Sequence, residues 1–237
     1  NYKSAKYTIV DRIYENEGAV VAKADDGWDV TLTNDVSKLR FADNLGKVRV
    51  HLNGFKVAVP DIRATWGIVA DTAITIYAVP DVGPSTQLAI LGAGSVIGGS
   101  VVWGGSEVWE SLGTAGDGVC VNVDSRNGVE VSVGDDVKVC GGGDYASYGG
   151  VGVRGVVRMN QGEILGGSAN VSAAGVLGVV YTNHGQIKGG DGVGSNPFSG
   201  ADGVDGDVGL NAGLIDCGES EGGDGNSIGG NLWAGTE

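Results

Sequence analysis

The sequence is poor in several residue types, and each scarcity excludes a class of protein. Proline occurs only 4 times among 237 residues, so the 46 glycines do not indicate collagen or a proline-rich linker. No stretch approaches the roughly 20 consecutive apolar residues of a membrane-spanning helix, and no membrane insertion is expected. Histidine occurs only at His51 and His184, and neither stands in a nucleophile motif or at metal-ligand spacing. These absences favour a non-enzymatic protein.

Positive charge is scarce as well. The formal net charge is −14, and no Lys or Arg follows Lys188. A strongly acidic surface repels phosphate backbones and anionic lipids, so nucleic acid is not an expected partner. Cysteine occurs only at Cys120, Cys140 and Cys217, without zinc-motif spacing, and either a Cys120–Cys140 bridge or free thiols fit this pattern.

The composition changes near residue 90. Residues 1–90 contain 6 glycines and a net charge of −1, whereas residues 91–237 contain the other 40 glycines and a net charge of −13. We therefore predict two modules. An antiparallel β domain over 1–90 acts as a connector, and a glycine-rich acidic module over 91–237 carries binding loops.

The first module shows the signals of short antiparallel strands. Residues 28–32 and 47–52 alternate apolar and polar side chains, as half-buried strands do. Asn53-Gly54 is a strong hairpin signal, with 55–59 as the returning strand. Six or more such strands predict a small β-sandwich or barrel.

The second module contains short bursts of Val and Ile between Gly and Asp. The pattern N-x-G-x-I-x-(G/C)-G occurs three times, beginning at Asn160, Asn183 and Asn211. We expect each copy to open with a turn at positive φ, the Ile to be an apolar anchor, and the paired glycines to let the next segment pack closely. The unequal spacing of the copies predicts loops of different length between similar structural steps. Such repetition indicates a β-helix or a tightly turned sandwich.

Glycine recurs at every third position from Gly200 to Gly209. This spacing suits a threefold extended helix whose glycine edge lies against a neighbouring backbone. Polyglycine-II-like segments are the prediction, and a disordered Gly/Asp tail is the alternative. The predicted fold class is thus all-β, with an N-terminal small β-sandwich or barrel followed by a glycine-rich β-helix-like or polyglycine-II-type module.

The N-x-G-x-I-x-G-G steps, with glycine-rich segments between them, resemble the distal receptor-binding adhesins of tailed bacteriophages over about residues 113–237. The resemblance implies a glycine-rich scaffold whose variable loops bind a bacterial outer-membrane protein or a surface glycan. It also implies a location at the tail tip or fibre of a virion and action at the host surface. Residues 1–90 are then expected to join the tip to the rest of a tail protein. The sequence departs from this family in lacking long glycine runs.

Aromatic residues in small, polar segments are the predicted receptor-binding residues. An aromatic side chain there has little core to fill, and binding loops favour Tyr and Trp among Ser, Gly and Asn. The competing interpretation is that each covers a local apolar patch or another chain. The predicted set is Tyr145, Tyr148, Phe198, Trp233, Trp103 and Trp109.

Two groups of carboxylates have a chemical interpretation. Glu107 and Glu110 flank Trp109 and resemble the paired acids of a glycosidase, although acid-rich loops make such pairs by chance. Asp202, Asp205 and Asp207 offer the hard oxygen ligands that calcium prefers, with plain solubility as the alternative. No calcium motif is matched, and no cofactor is expected.

The leading hypothesis is therefore a receptor-binding module of a phage tail tip or fibre. One alternative is a structural or assembly subunit of a virion or surface fibre, which predicts a homotrimer with the same aromatics buried between chains. A second alternative is a polysaccharide-degrading enzyme on a β-helix, which predicts a carboxylate pair in a groove beside Trp103 or Trp109.

Overall fold

A computed structural model describes residues 8–10, 13–15, 18–64, 68–78, 85–103, 113–122, 128–143, 148–193, 200–220, 223, 225–226 and 228–232. This part of the chain is all-β, and none of it forms a helix that could cross a membrane. The strands are β1 Thr8–Val10, β2 Ile13–Glu15, β3 Ala19–Ala24, β4 Gly27–Leu32, β5 Leu39–Ala42, β6 Lys47–His51, β7 Lys56–Ala58, β8 Ile62–Ala64, β9 Ile68–Val69, β10 Ile74–Tyr77, β11 Gln87–Leu91, β12 Gly94–Ile97, β13 Val101–Trp103, β14 Gly113–Thr114, β15 Val119–Asn122, β16 Glu130–Val133, β17 Val137–Cys140, β18 Val153–Asn160, β19 Glu163–Leu165, β20 Val176–Asn183, β21 Gln186–Lys188, β22 Val204–Asp205, β23 Val208–Asn211 and β24 Leu214–Asp216.

Successive passages of the chain stack in parallel and in register. A 14-stranded main sheet contains two parallel series, which share β18 and β20. One series is β5, β10, β15, β18, β20 and β22, and the other is β4, β6, β11, β16, β18, β20 and β23. A 6-stranded second sheet holds β7, β12, β17, β19, β21 and β24. We call each passage through the main sheet and then the second sheet a layer.

The layers differ in the connection between the two series of the main sheet. Early layers carry connections of different length, at 43–46, 78–86 and 123–129. Later layers carry none: β18 and β20 run through both series, and only 206–207 separate β22 from β23. The loops of different length predicted between the repeat copies lie elsewhere in the layer: 166–175 separate β19 from β20, whereas 189–203 separate β21 from β22.

Apolar side chains at equivalent positions of the layers form continuous columns in one hydrophobic core. A column of the main sheet contains Leu39, Ile74, Val119, Val153, Val176 and Val204. A column of the second sheet contains Val57, Val96, Val139, Ile164, Ile187 and Ile215. Each such side chain contributes about 1.5 to 3 kcal/mol when fully buried. The isoleucines of the repeat are therefore apolar anchors, as predicted.

The asparagine that opens each repeat copy does not have the predicted positive φ. Asn160, Asn183 and Asn211 end β18, β20 and β23, and their side chains form an amide ladder inside the stack. The Nδ2 of Asn160 donates to the Oδ1 of Asn183 at 2.8 Å, and the Nδ2 of Asn183 donates to the Oδ1 of Asn211 at 2.7 Å. Asn53 is the one non-glycine residue with positive φ in the described ranges. The predicted positive φ is wrong at these asparagines because their side chains point along the stack, where each finds an identical partner. The predicted turn does follow each of them, since 161–162, 184–185 and 212–213 join the main sheet to the second sheet.

Among the described residues, antiparallel pairing is confined to the first strands, in the pairs β1–β2, β2–β5 and β3–β4. The antiparallel domain predicted over 1–90 is wrong for the later strands of that range. There β7 pairs in parallel with β12, and β10 pairs in parallel with β15, so the sheets continue across residue 90. Local turn signals could not show this, because the partner of each strand lies a whole layer away in the sequence.

The Asn53-Gly54 turn joins β6 of the main sheet to β7 of the second sheet. Both residues have positive φ, 52° and 83°. Because β6 and β7 lie in different sheets, this turn makes a corner of the layer and not the predicted hairpin.

The three cysteines are free thiols. Cys120 lies on the main sheet and Cys140 on the second sheet. Burial raises the pKa of the Cys140 thiol to about 11, and burial also raises the pKa of Cys120. Both thiols are therefore protonated, and poorly nucleophilic, at neutral pH.

Candidate binding surface

Between the second sheet and the return to the main sheet, each layer makes an excursion, and these excursions stack on one another. β8 pairs with β13, β9 pairs with β14, and Tyr148 bridges both Thr114 and Val171. They enclose a small second core of Ala70, Val101, Ala115 and Ala169. We call the described residues within 60–70, 100–115, 143–149, 168–173 and 191–200 the side lobe.

A continuous chain of backbone hydrogen bonds joins the side lobe to the rest of each layer. Segments that lead into the side lobe alternate along this chain with segments that lead out of it. The backbone amide of each residue in the chain donates to the backbone carbonyl oxygen of the residue before it in the chain, at 2.8 to 3.2 Å. The members are Asp71, Gly99, Gly116, Gly142, Gly150, Gly167, Ala173, Gly190, Ala201, Gly218 and Gly225. We call this chain the glycine seam.

The glycines of the seam leave no room for side chains, although Asp71, Ala173 and Ala201 are also members. A Cβ atom at Gly142 would overlap the carbonyl oxygen of Gly99, and a Cβ at Gly167 would overlap that of Gly142. Only a hydrogen side chain permits backbones to approach this closely. The close packing predicted for the paired glycines of the repeat is therefore confirmed.

The threefold extended helix predicted from Gly200 to Gly209 is wrong at 204–205 and 208–209, which lie in β22 and β23 and pair in parallel with β20. The glycines still serve close approach, because a Cβ at Gly206 would overlap the carbonyl oxygen of Gly178. Spacing alone could not distinguish the two backbone forms, since both place glycine against a neighbouring chain.

Side chains on one layer hold the amides of the next where the side lobe begins. The Oγ of Ser100 accepts from the Gly143 amide at 3.2 Å, and the Oγ of Ser168 accepts from the Asp191 amide at 3.1 Å. The Oδ1 of Asp191 in turn accepts from the Glu219 amide at 3.0 Å. Asp191 also pairs with Lys188 at 3.2 Å, and that contact raises the pKa of Lys188. The start of the side lobe is thus fixed by polar contacts as well as by the seam.

The outer surface of the side lobe carries an exposed column of apolar and hydroxyl groups. Val69 pairs with Thr114, which bridges Tyr148, which bridges Val171. Val69 is 71% exposed and Tyr148 is 53% exposed. Isolated exposed apolar residues are ordinary, but an aligned column on a fixed backbone offers a contact surface to a partner.

The structure describes the side chain of one predicted receptor-binding residue, Tyr148, and the backbone of Trp103, which ends β13. Tyr145, Trp109, Phe198 and Trp233 lie outside the described residues.

Five of the six predicted aromatics nevertheless belong to connections of one kind. Their connections begin and end in the side lobe, at 101–115 for Trp103 and Trp109, 143–149 for Tyr145 and Tyr148, and 193–200 for Phe198. Trp233 differs, because it follows Leu232, which bridges Val208 in the main sheet.

The aspartates considered as calcium ligands contact the last described layer. The Oδ1 of Asp202 accepts from the Asn226 amide at 2.7 Å, and the Oδ1 of Asp207 accepts from the Asn231 amide at 2.9 Å. Asp205 is exposed on β22. Within the described ranges no three His, Cys, Asp or Glu side chains form a group that could hold a metal ion. Glu107 and Glu110 lie outside those ranges.

Sequence reasoning missed Val69, Thr114 and Val171, because single residues of these types carry no binding signature. A Gly-Val pair stands at the start of four layers, at Gly118-Val119, Gly152-Val153, Gly175-Val176 and Gly203-Val204. The sequence contains five further Gly-Val pairs, so this signal alone does not give the register of the aromatic-bearing connections.

No family model, curated protein or solved structure matches this chain in comparisons with known proteins.

Proposed function

We propose that this chain is a receptor-binding module of a phage tail tip or fibre, in which a glycine-rich β-helix presents the side lobe to a bacterial outer-membrane protein or surface glycan. One observation supports this proposal above the others. The connections that contain five of the six predicted aromatics belong to the same lobe as the exposed column of Val69 and Tyr148.

The physical reason is pre-organisation. Binding loses free energy when loops and side chains must be ordered, and a scaffold that fixes the loop ends reduces that loss. The glycine seam and the Ser100 and Ser168 contacts fix both ends of the side-lobe connections. Tyrosine adds a large contact area with few rotatable bonds and one hydroxyl for hydrogen bonding.

Charge restricts the partner. Residues 91–237 carry a net charge of −13, so a strongly acidic ligand is disfavoured and neutral glycans or surfaces with basic groups are favoured. The same charge leads us to expect that binding to a basic protein surface weakens as salt increases.

The test is binding of the labelled protein to intact bacteria, to isolated outer-membrane proteins and to surface glycans. We expect Tyr148→Ala and Val69→Asp to weaken binding at least about tenfold, as interface anchors do. Leu214→Asp is the matched control, because Leu214 is 52% exposed but lies on β24 of the second sheet.

Two outcomes contradict the proposal. Equal binding by the parent protein, Tyr148→Ala and Val69→Asp places the site elsewhere. Equal loss in Val69→Asp and Leu214→Asp shows a general effect of added charge and not a local contact.

A further inference from the structure

The outer face of the main sheet is apolar in its last layers. Met159, Tyr181 and Leu210 on β18, β20 and β23 are 38%, 46% and 44% exposed. Val156, Leu177 and Val179 on the same strands are half-buried. Because β18 and β20 run without inserted connections, these side chains form one open surface, which we call the late face.

The charges of the late face are arranged in rows. Within the late face, Arg154 and Arg158 lie on β18, its first row, while Asp205 and Asp207 lie on β22 and just after it, in its last row. The sheet continues past this row, since Ile228 and Leu232 bridge Val204 and Val208, and the Oδ1 of Asp207 accepts from the Asn231 amide. The middle row, on β20, is apolar, with Leu177, Val179 and Tyr181. One column shows the pattern directly: Arg154 pairs in register with Leu177, which pairs with Asp205.

This pattern is complementary to itself. A twofold axis parallel to the strands and passing over β20 reverses the order of the rows while keeping position along each strand. It therefore places the basic row of one copy over the acidic row of the other, and Leu177 over Leu177. A twofold interface uses the same patch on both subunits, so a patch with this symmetry is what such an interface requires.

We propose that two copies of this chain associate face to face through the late face, with a twofold axis parallel to β20. Arg154 of one copy then lies opposite Asp205 of the other. Met159 of one copy lies over Leu210 of the other, because the two residues have the same position along their strands. Leu210 pairs with Thr182, and the next residue, Asn183, pairs with Asn160, which follows Met159. The apolar middle rows cover one another.

The exposed charges are available for this contact. The Arg158 side chain is 58% exposed and the Arg154 side chain is 43% exposed, although each has a partner within its own chain, Glu130 at 3.3 Å and Asp117 at 2.7 Å. Asp205 is exposed. Opposite charges across an interface mainly set the orientation of the partners and their association rate. The basic and acidic rows would therefore favour this alignment of the two copies over other alignments.

The size of the late face sets the expected strength. Three strands about 4.8 Å apart and at most about eight residues long cover roughly 400 Å² per copy. This is less than the roughly 800 Å² per partner of a standard stable interface, so we expect a dimer with a dissociation constant in the micromolar range.

The test is sedimentation velocity of the full chain over a concentration series up to about 0.5 mM, well above a micromolar dissociation constant. We expect a monomer–dimer equilibrium that Leu210→Lys weakens at least about tenfold, because the new positive charge lies opposite the basic row of the other copy, beside Arg158. Leu214→Lys is the matched control: it makes the same change at a similarly exposed leucine on the second sheet and should leave the dimer intact. Thermal unfolding of each variant shows whether it is folded.

A charge reversal provides a second and independent variant. Asp205→Lys places a positive charge opposite Arg154 of the other copy and should weaken the dimer, most strongly at low salt. Asp216→Lys makes the same change at an exposed position of β24 and should not.

Three results overturn the proposal: a parent chain that stays monomeric over the whole series, a trimer, or equal effects of Leu210→Lys and Leu214→Lys. Because the late face lies on the main sheet and the receptor-binding column lies on the side lobe, Leu210→Lys tests association while Tyr148→Ala tests receptor binding. Either idea can therefore fail alone.

Discussion

The hydrophobic core and the glycine seam hold the same layers together by different means. In the core, columns such as Val139, Ile164 and Ile187 remove apolar side chains from water and tolerate modest changes of shape. In the seam, backbone contacts backbone, and a hydrogen bond contributes only about 1 kcal/mol net. Each contact in the seam therefore adds little free energy of stabilisation. One added carbon atom that pushes the backbone segments apart costs much more free energy than a single contact contributes. We expect it to be the less tolerant of the two regions.

The largest effect should come from Gly142→Val. The added Cβ would overlap the carbonyl oxygen of Gly99, and backbone cannot rotate away as a side chain can. We expect a loss of about 4 kcal/mol or more in the free energy of unfolding, measured by denaturant titration. Gly54→Asn is the control, because a Cβ there meets nothing within 4 Å and asparagine tolerates positive φ. Equal losses in the two variants would show that the seam is not special.

Truncation of the core should come next. Ile164→Ala removes a fully buried side chain between Val139 and Ile187 and should reduce the free energy of unfolding by about 3 kcal/mol. Ile164→Val should cost only about 1 kcal/mol, because the column keeps most of its contacts. If Ile164→Ala is worse than Gly142→Val, then the core and not the seam is the less tolerant region.

The amide ladder should show an intermediate sensitivity. Asn183→Leu keeps the approximate volume but removes the donor to Asn211 and the acceptor for Asn160, inside a buried site. We expect a loss of about 2 kcal/mol in the free energy of unfolding, since buried amide groups lose their partners. A leucine that stabilises the protein would show that the ladder serves register and not stability.

The smallest effect should come from a surface ion pair in the first layers. The hydrogen bonds from Arg49 and Lys47 lower the pKa of Asp26 from 3.8 to about 2. A lowered folded-state pKa stabilises the fold above the unfolded pKa, and this contribution is lost as pH falls from about 4 to about 2. The melting temperature of Asp26→Asn should therefore be slightly lower than that of the parent at pH 7, and equal to it near pH 2. A difference that persists at pH 2 would point to a cause other than charge.

The sequence allowed the chemistry of the repeat to be predicted but not its geometry. Residue type was enough to predict the buried anchors Ile164, Ile187 and Ile215, because a single Ile among glycines is the only large apolar side chain available for burial. Residue type also predicted the close-packed glycines, because a glycine pair lets two backbones come into contact. The amide ladder did not follow, since asparagine is favoured in turns and depleted in strands. Its role depends on a partner 23 or 28 residues away.

The binding surface was predictable only in part. The aromatic residues could be selected by composition, but only the register of the layers shows that the connections containing five of them begin and end in the side lobe. Val69 and Tyr148 are aligned because β9 pairs with β14 and Thr114 bridges Tyr148. The late face was missed because its residues, Met159, Tyr181 and Leu210, look like ordinary strand residues until both faces of the sheet are known.

By itself, the amino-acid sequence determined that this protein is all-β, that its later half packs backbone against backbone, and that a repeated isoleucine anchors it. These properties are local, because they depend on what a glycine or a branched apolar side chain can do. Tertiary structure decided that strands pair in parallel across residue 90, that asparagines meet in a ladder, and that the aromatic connections share one lobe. Those properties depend on which residues lie a full layer apart in the sequence. The number of residues in a layer depends on where the chain returns to pair with the preceding layer, and that is a tertiary contact.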